Sequence, residues 1–529
     1  MFRKSFMILA VLCLAVVPLF ASGTMAQANT GDVPELSGQV EIELEGKGDT
    51  FTGHFYGHEN QGELVLKSRG KTIKNNLEIQ INGEEVIIRP EQLRKSDVVE
   101  INVGTHVNQG LNEIKVEQKN NAQSPAVVIP YLTLKDGKAD EVGLSSERLE
   151  DIDQVVEQAM DNGVIPGAVV LVAKDGVVVK ESSYGFAQKY DMGNLLDRPV
   201  AMETNTIFDL ASVTKVMATT QGIMKLVSEG KLRVTDKVSD IIPEFANNGK
   251  ESVTIEDLLT HTSGLTPWTP TYYFTDNSKG VLEYINDLPL EYETGTSRKY
   301  SDFSFMMLGF VIEEVTGMKL NDYLDEQIYE TLNMGDTQFV PSAHLKNRMA
   351  ATSWGNPYEH KMVHDPNFGY NVDVNLDAFD GWRDYTLIGE VNDGNSYYAN
   401  GGIAGHAGLF STARDLSVLG QTMLNGGGYG LDRIYDSTVV KEFTSPQRYT
   451  HGYGWELNTT WYMGNKKSPS AFGHTGFTGT QIIFDPEHQL QIIILTNKQN
   501  MGTTPSGSYR STGPLSKEIS DIVYDSIEK

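Results

Sequence analysis

Ser212 and Lys215 stand three residues apart in "TIFDLASVTKVMATTQGIMKLVSEGKL", where an apolar run turns into a helical pattern. A serine hydroxyl is a poor nucleophile until a base takes its proton. A lysine one turn away takes it when burial and nearby charge lower its pKa. Residues three apart on a helix share a face, and Met217, Ile223, Met224, Leu226 and Val227 supply that helix's apolar positions. A serine in a first helical turn also has free backbone N–H groups around it, which favour negative charge on a substrate oxygen. The spacing equally fits a solvated polar pair. A second Ser-x-x-Lys, Ser68-Arg69-Gly70-Lys71, lies between glycines in a strand-rich region, where its side chains need not face each other.

Other polar residues are candidates for binding. The loops "VHDPNFGYNVDVN" and "GEVNDGNSYYANGGIAGHAG" are expected to line a cleft, with Glu390, Asp393, Asn395 and His406 as substrate contacts. His261 in "LLTHTSGL" reads as a structural hydrogen-bonding residue. The pairs His54/His58 and His360/His364 have a spacing usable for metal on a helix. Neither lies in a clear helical pattern and no H-E-x-x-H occurs, so no metal and no cofactor is expected.

These residues need a scaffold. From Ser145 onward Leu149, Ile152, Val155, Val156 and Met160 recur at helical spacing. "GAVVLVAKDGVVVKESSYG" reads as two strands around an Asp175-Gly176 turn, and "TGTQIIFDPEHQLQIIILTN" as another pair near the end. Strands from both ends with helices between predict one mixed sheet plus a helical subdomain, an α+β fold. Residues 29–138 alternate with period two, as in "LEIQINGEEVIIRP" with its Asn82-Gly83 turn, and predict a small all-β sandwich ahead of a linker, "LKDGKADEVG".

Three motifs in order carry a resemblance: Ser212-Val213-Thr214-Lys215, Tyr300-Ser301-Asp302 and His474-Thr475-Gly476. Tyr284, Tyr323 and Tyr398 also precede Asn or Asp by two. Only Tyr300 sits between a Gly-containing turn and a long amphipathic helix. Over residues 141–529 the chain resembles the serine penicillin-binding protein and β-lactamase-like hydrolase family. The likeness is strongest to the branch of small penicillin-binding proteins, class C-like β-lactamases, D-alanyl-D-alanine carboxypeptidases, esterases and muramyl-peptide amidases. The resemblance implies a β-lactamase/transpeptidase-like fold in which Ser212 becomes acylated while Lys215 and Tyr300 move protons. It casts Asp302, His474, Thr475, Gly476 and Phe477 as substrate-binding, and the N–H groups of Ser212 and Phe477 as an oxyanion hole. Two positions depart from the pattern. Asp302 replaces an asparagine, and as a carboxylate it accepts rather than donates and holds Lys215 charged. His474 replaces a lysine that helps bind a substrate carboxylate. With an ordinary pKa of about 6.5 it predicts weak penicillin acylation and a low-pH gain in affinity for carboxylate substrates. The expected activity is a serine hydrolase acting through an acyl-enzyme on cell-wall peptides, carboxypeptidase-like. An N-acetylmuramyl-L-alanine amidase, an esterase and a silent wall-binding or penicillin-sensing protein are the alternatives.

The chain of 529 residues carries 43 Lys+Arg against 70 Asp+Glu, a formal charge of −27, which argues against nucleic acid or an anionic membrane surface as main partner. Arg3, Lys4, an apolar stretch over 6–20 and Ala26-Gln27-Ala28 read as a secretory signal over residues 1–28, with an uncleaved anchor as the alternative. That predicts a secreted or cell-envelope protein. Cys13 is the only cysteine, so cleavage would exclude disulfides, zinc–thiolate sites and cysteine catalysis. The expected partner is a cell-wall peptide or muramyl peptide. The N-terminal β region is either a carbohydrate contact or a spacer.

Overall fold

A computed structural model describes residues 40–42, 44–47, 50–57, 63–67, 77–86, 98–103, 106–108, 110–118, 126–370 and 372–528. The expected secretory signal, Cys13, His58 and Ser68–Lys71 lie outside the described residues.

The N-terminal region holds two antiparallel sheets. One orders Glu45–Lys47, Thr50–Gly57, Gly110–Gln118, Leu77–Ile81 and Glu84–Val86; the other orders Val40–Ile42, Ala126–Ile129, Glu63–Lys67 and Val98–Asn102. Ile79 and Ile81 point inward with Ile114 and Val116, and meet Ile42 and Val127 of the other sheet in one apolar cluster. This is the sandwich that the alternation predicts. Its hairpin turns at Asn82 and Gly83, both at positive φ (52° and 84°), as a tight two-residue hairpin requires.

The larger body is built on a mixed sheet. Its path runs Lys135–Asp136, Val177–Asp191, Gly167–Lys174, Leu490–Thr496, Thr480–Asp485, Phe472–Thr475 and Glu456–Leu457, with Asn194–Ala201 paired on Val177–Asp191. Only the Lys135–Asp136 pairing is parallel. Both faces are covered, so the central strands are apolar at most positions on both sides. Ala168, Val170 and Val172 face the helices Ser146–Asp161 and Gly513–Asp525, while Val169, Leu171 and Ala173 face the helical subdomain. Ile492 and Ile494, against Ile493 and Leu495, divide the same way. Ser145 caps the first helix by accepting from the Arg148 N–H.

The expected linker is not a free tether. Besides the parallel pairing of Lys135 and Asp136, the Tyr131 N–H donates to Gly430 O at 2.9 Å and Asn425 Nδ2 donates to Leu132 O at 2.8 Å. Residues 131–136 therefore pack on the larger body rather than ending the β region. Among the described residues no helix is long and apolar enough to cross a membrane.

Candidate active site

Ser212, the expected nucleophile, sits just after a tight turn. After the short strand Phe208–Asp209, Ala211 takes a left-handed φ of 46°, a conformation that costs a non-glycine residue energy and must be held by its surroundings. Asp209 holds it. Its carboxylate accepts the N–H of Ala211 at 2.9 Å and that of Asn392 at 2.6 Å, and its carbonyl accepts Thr478 Oγ1 at 2.7 Å. Burial pushes this carboxyl up to about 6, against the pull of those two N–H bonds. Beyond the turn the predicted helix does not begin as a regular α-helix. A 3-10 turn at Ala211–Val213 leads into a wider π-turn at Lys215–Thr219 before α-helix sets in at Thr220–Ser228. Such π-turns recur at functional sites.

Lys215 is fully buried, and its Nζ donates three hydrogen bonds: to Ser212 Oγ at 3.1 Å, Asp302 Oδ1 at 2.7 Å and the His406 carbonyl at 3.1 Å. Burial alone would lower its pKa. The Asp302 carboxylate and Tyr300 outweigh burial and hold it above the ordinary lysine value. Asp302 opens the helix Asp302–Thr316, which Ser301 caps by accepting from the Ser304 N–H. The Ser301 N–H donates to His261 Nδ1 at 3.1 Å, so His261 serves the backbone of the second motif, as expected. Tyr300 lies between them, its ring centre 4.8 Å from Lys215 Nζ and 4.5 Å from the His261 ring. Burial raises the Tyr300 phenol, and the Lys215 charge opposes that rise.

The third motif lies on the strand Phe472–Thr475, antiparallel to Thr480–Asp485. His474 is 2% exposed. Its Nδ1 faces the Thr475 carbonyl at 2.8 Å, so Nδ1–H is the donor and Nε2 keeps a lone pair, which has no partner among the described residues. Burial first, then the charges of Lys215 and Arg298, pull its pKa to about 3. This corrects the expected titration near 6.5: the imidazole is neutral throughout the physiological range. Gly476 follows because nothing larger fits, since a Cβ there would stand 2.2 Å from Thr480 Oγ1 and 2.3 Å from the Leu210 carbonyl. That close approach brings the third motif against the nucleophile turn. Ser212, Tyr300, His474, Thr475, Gly476 and Phe477 all line one cleft of about 330 Å³, together with Trp461 and Lys498.

The four loop candidates do not line that cleft. Glu390 accepts from Tyr385 at 2.8 Å and lies 3.6 Å from Arg383. Asn395 is fully buried, accepting from the N–H and hydroxyl of Thr271 and donating to Thr269 O. Both are committed to loop packing, which explains their polarity without substrate. Asp393 and His406 lie behind Lys215: His406 Nε2 is 2.9 Å from Asp393 Oδ1, and the His406 carbonyl takes the lysine bond. Beside them the partly buried Glu359 has its carboxyl raised to about 8 by desolvation and the nearby Asp393 charge.

Asp302, Asp393 and His406 also present one ligand atom each within 4.8 Å of one another, but the Lys215 ammonium already supplies positive charge at Asp302. His360 and His364 lie on the helix Pro357–His364, contrary to the expected lack of helical pattern. Their rings stack at 4.0 Å with planes 10° apart, so their in-plane lone pairs run side by side rather than meeting at an ion. Sequence reasoning missed Asp209, Asn392, Trp461 and Lys498. Their only signal is proximity in the fold.

Residues 152–510 match the family profile described as Beta-lactamase. A protein of Escherichia coli (strain K12), provisionally named D-alanyl-D-alanine carboxypeptidase, is 37% identical over 390 residues, covering 70% of this chain and 86% of that protein. A Salmonella typhi protein of the same provisional name is 38% identical over 395 residues, covering 70% and 88%. Among solved structures, a penicillin-binding protein homolog from Caulobacter crescentus superposes with a TM-score of 0.54 at 22% identity, over 73% of this chain and 99% of that one. A family VIII carboxylesterase does so with 0.53 at 21%, over 72% and 98%. The structural likeness establishes the β-lactamase/transpeptidase-like fold. With the profile spanning most of the chain and relatives above one-third identity, the chain belongs to the beta-lactamase family.

Proposed function

We propose that this protein is an exported serine hydrolase that cleaves cell-wall peptides through an acyl-enzyme on Ser212, in the manner of a D,D-carboxypeptidase. The observation that carries this reading is Lys215 Nζ bridging Ser212 Oγ and Asp302 Oδ1 beside the cleft. The relatives' provisional carboxypeptidase name points to the substrate class. The basic, then apolar, N-terminal sequence supports export to the cell envelope.

As an ammonium, Lys215 spends all three N–H groups and donates to Ser212 rather than accepting from it. Activation therefore begins with one proton moving from Lys215 to Asp302, across 2.7 Å. The neutral amine then takes the Ser212 proton as Oγ bonds to the substrate carbonyl carbon. The carbonyl oxygen gains negative charge beside the N–H groups of Ser212 and Phe477. When the tetrahedral species collapses, the Tyr300 phenol protonates the departing amine and recovers a proton from Lys215. Water then gives a proton to the neutral Lys215 amine and attacks the acyl ester. Ser212 leaves protonated by the Tyr300 phenol, which recovers its proton from Lys215, and Asp302 returns its proton to Lys215.

A second reading, an esterase for substrates without a carboxylate, is favoured by one feature: His474 lines the cleft as a neutral imidazole and brings no positive charge to it. Labelling with a fluorophosphonate probe, followed by mass spectrometry of muropeptides after incubation, tests both. Ser212-dependent labelling with release of D-alanine is expected. Release of L-alanine-linked peptide from muramic acid would instead identify an amidase, and ester turnover alone the second reading.

A further inference from the structure

His474 leaves the cleft without the cation that a peptide's terminal carboxylate would meet at the third motif. A different residue supplies one. Lys498 follows the strand Leu490–Thr496 and opens the 3-10 turn Lys498–Met501. It is partly buried and lines the same cleft as Ser212, Tyr300 and His474. Its stem runs over Gly479, where a Cβ would stand 3.1 Å from its Cγ and 3.3 Å from its Cδ. That glycine, at φ +111°, leaves the lysine its path toward the cleft. The Nζ ends 5.9 Å from the centre of the Phe477 ring, next to the third motif.

Among the described residues lining the cleft, Lys498 is the one lysine or arginine and Glu456 the one acid. They do not compensate each other. Glu456 is raised by burial, and the charge of Arg298 counters that rise. Lys498 has burial as its sole perturbation, which draws it down to about 8. A buried charge without a partner is costly unless a ligand brings the opposite charge. One ammonium matches one unit of negative charge, which fits a carboxylate better than a dianionic phosphate.

We infer that Lys498 is the specificity-determining residue that binds the terminal carboxylate of a peptide substrate, in place of the lysine that His474 replaces. This rests on the peptide-hydrolase reading for its choice of ligand, but its test does not require peptide cleavage. N-acetyl-D-alanyl-D-alanine and its C-terminal amide are compared as competitors of the hydrolysis of a neutral chromogenic ester. In the wild type the carboxylate is expected to compete about tenfold or more better than the amide, the size of a charge-assisted hydrogen bond. Lys498→Met should bring that ratio close to one, and Lys498→Arg should keep most of it. A wild-type ratio near one overturns the inference without any variant, as does an unchanged ratio in Lys498→Met. D-alanine release, measured in parallel, separates the two claims. Preference lost in Lys498→Met without release by the wild type upholds the carboxylate site and overturns the carboxypeptidase reading. Release with the preference unchanged does the reverse.

Discussion

At the scale of single residues, the proposed mechanism turns on the Lys215–Asp302 pair beside Ser212. A lysine facing asparagine would be easier to deprotonate; here a carboxylate at 2.7 Å holds it charged, and the proposed mechanism needs that proton to cross to Asp302. Ser212→Ala is expected to abolish acyl-enzyme formation with the fold intact, as read by intact-protein mass spectrometry and circular dichroism. Lys215→Ala and Tyr300→Phe should each lower kcat/KM on a small ester by about a thousandfold or more, because groups that act as a unit fail together. Near wild-type turnover in Tyr300→Phe would remove Tyr300 from the proton path. His474 carries the pH prediction. The unfolded state binds its proton near 6.5 and the folded state only near 3, so this residue costs nothing above about 6.5. As pH falls from there toward 3, it reduces stability by up to about 1.4 kcal/mol per unit. Urea unfolding of wild type and His474→Gln should show the variant gaining, relative to wild type, about 2 kcal/mol between pH 7.5 and 5.0. Equal shifts in both proteins would mean that the imidazole protonates freely in the fold.

At the scale of elements, the site is a meeting of two backbone segments, the turn before Ser212 and the strand end after His474. Asp209 and Gly476 make that meeting possible, one by tying down N–H groups and the other by having no side chain. Asp209→Ala leaves the Ala211 and Asn392 N–H groups without acceptors inside the protein, at a cost of about 1–3 kcal/mol. It should lower kcat more than tenfold while the far-UV spectrum is kept. Gly476→Ala should be worse for activity, since the clash is with the Leu210 carbonyl rather than with a flexible side-chain tip. Wild-type kcat in either variant would mean that the turn holds itself.

At the scale of the whole molecule, the joint between the β region and the hydrolase body is set by residues 131–136. Their parallel pairing and the Tyr131–Gly430 bond make them the edge of the large sheet. Leu134 N–H also donates to the Tyr429 hydroxyl, and Arg414 reaches Asp136. A chain beginning at Pro130 is therefore expected to fold and keep ester turnover. One beginning at Val142 should melt several degrees lower in calorimetry, a few kcal/mol of lost hydrogen bonds and packing being worth that in a domain of this size. Equal melting temperatures would show the edge segment to be dispensable, and an insoluble product from both would make the β region part of the hydrolase fold.

The sequence by itself determined the three motifs and most elements around them, and it named Ser212 as the candidate nucleophile. Those features are local or periodic: Leu149 and Ile152 repeat at helical spacing, Asn82-Gly83 and Asp175-Gly176 carry the left-handed turns, and Ser212 and Lys215 lie one turn apart. It also marked Asp302 and His474 as changes of chemical type from the family pattern. Only the tertiary structure decided what those types become. His474 has an ordinary pKa as a residue and a depressed one as a neighbour of Lys215 and Arg298 in a dry strand, because desolvation and charge act through space. Glu390 and Asn395 looked like substrate contacts because long polar loops often line a cleft and carry function, yet Arg383, Thr269 and Thr271 from other parts of the chain claim them. Asp209 and Lys498 carried no local signal, since each gains its meaning from a segment far away in the chain: Asn392 for the one, the cleft around Ser212 for the other.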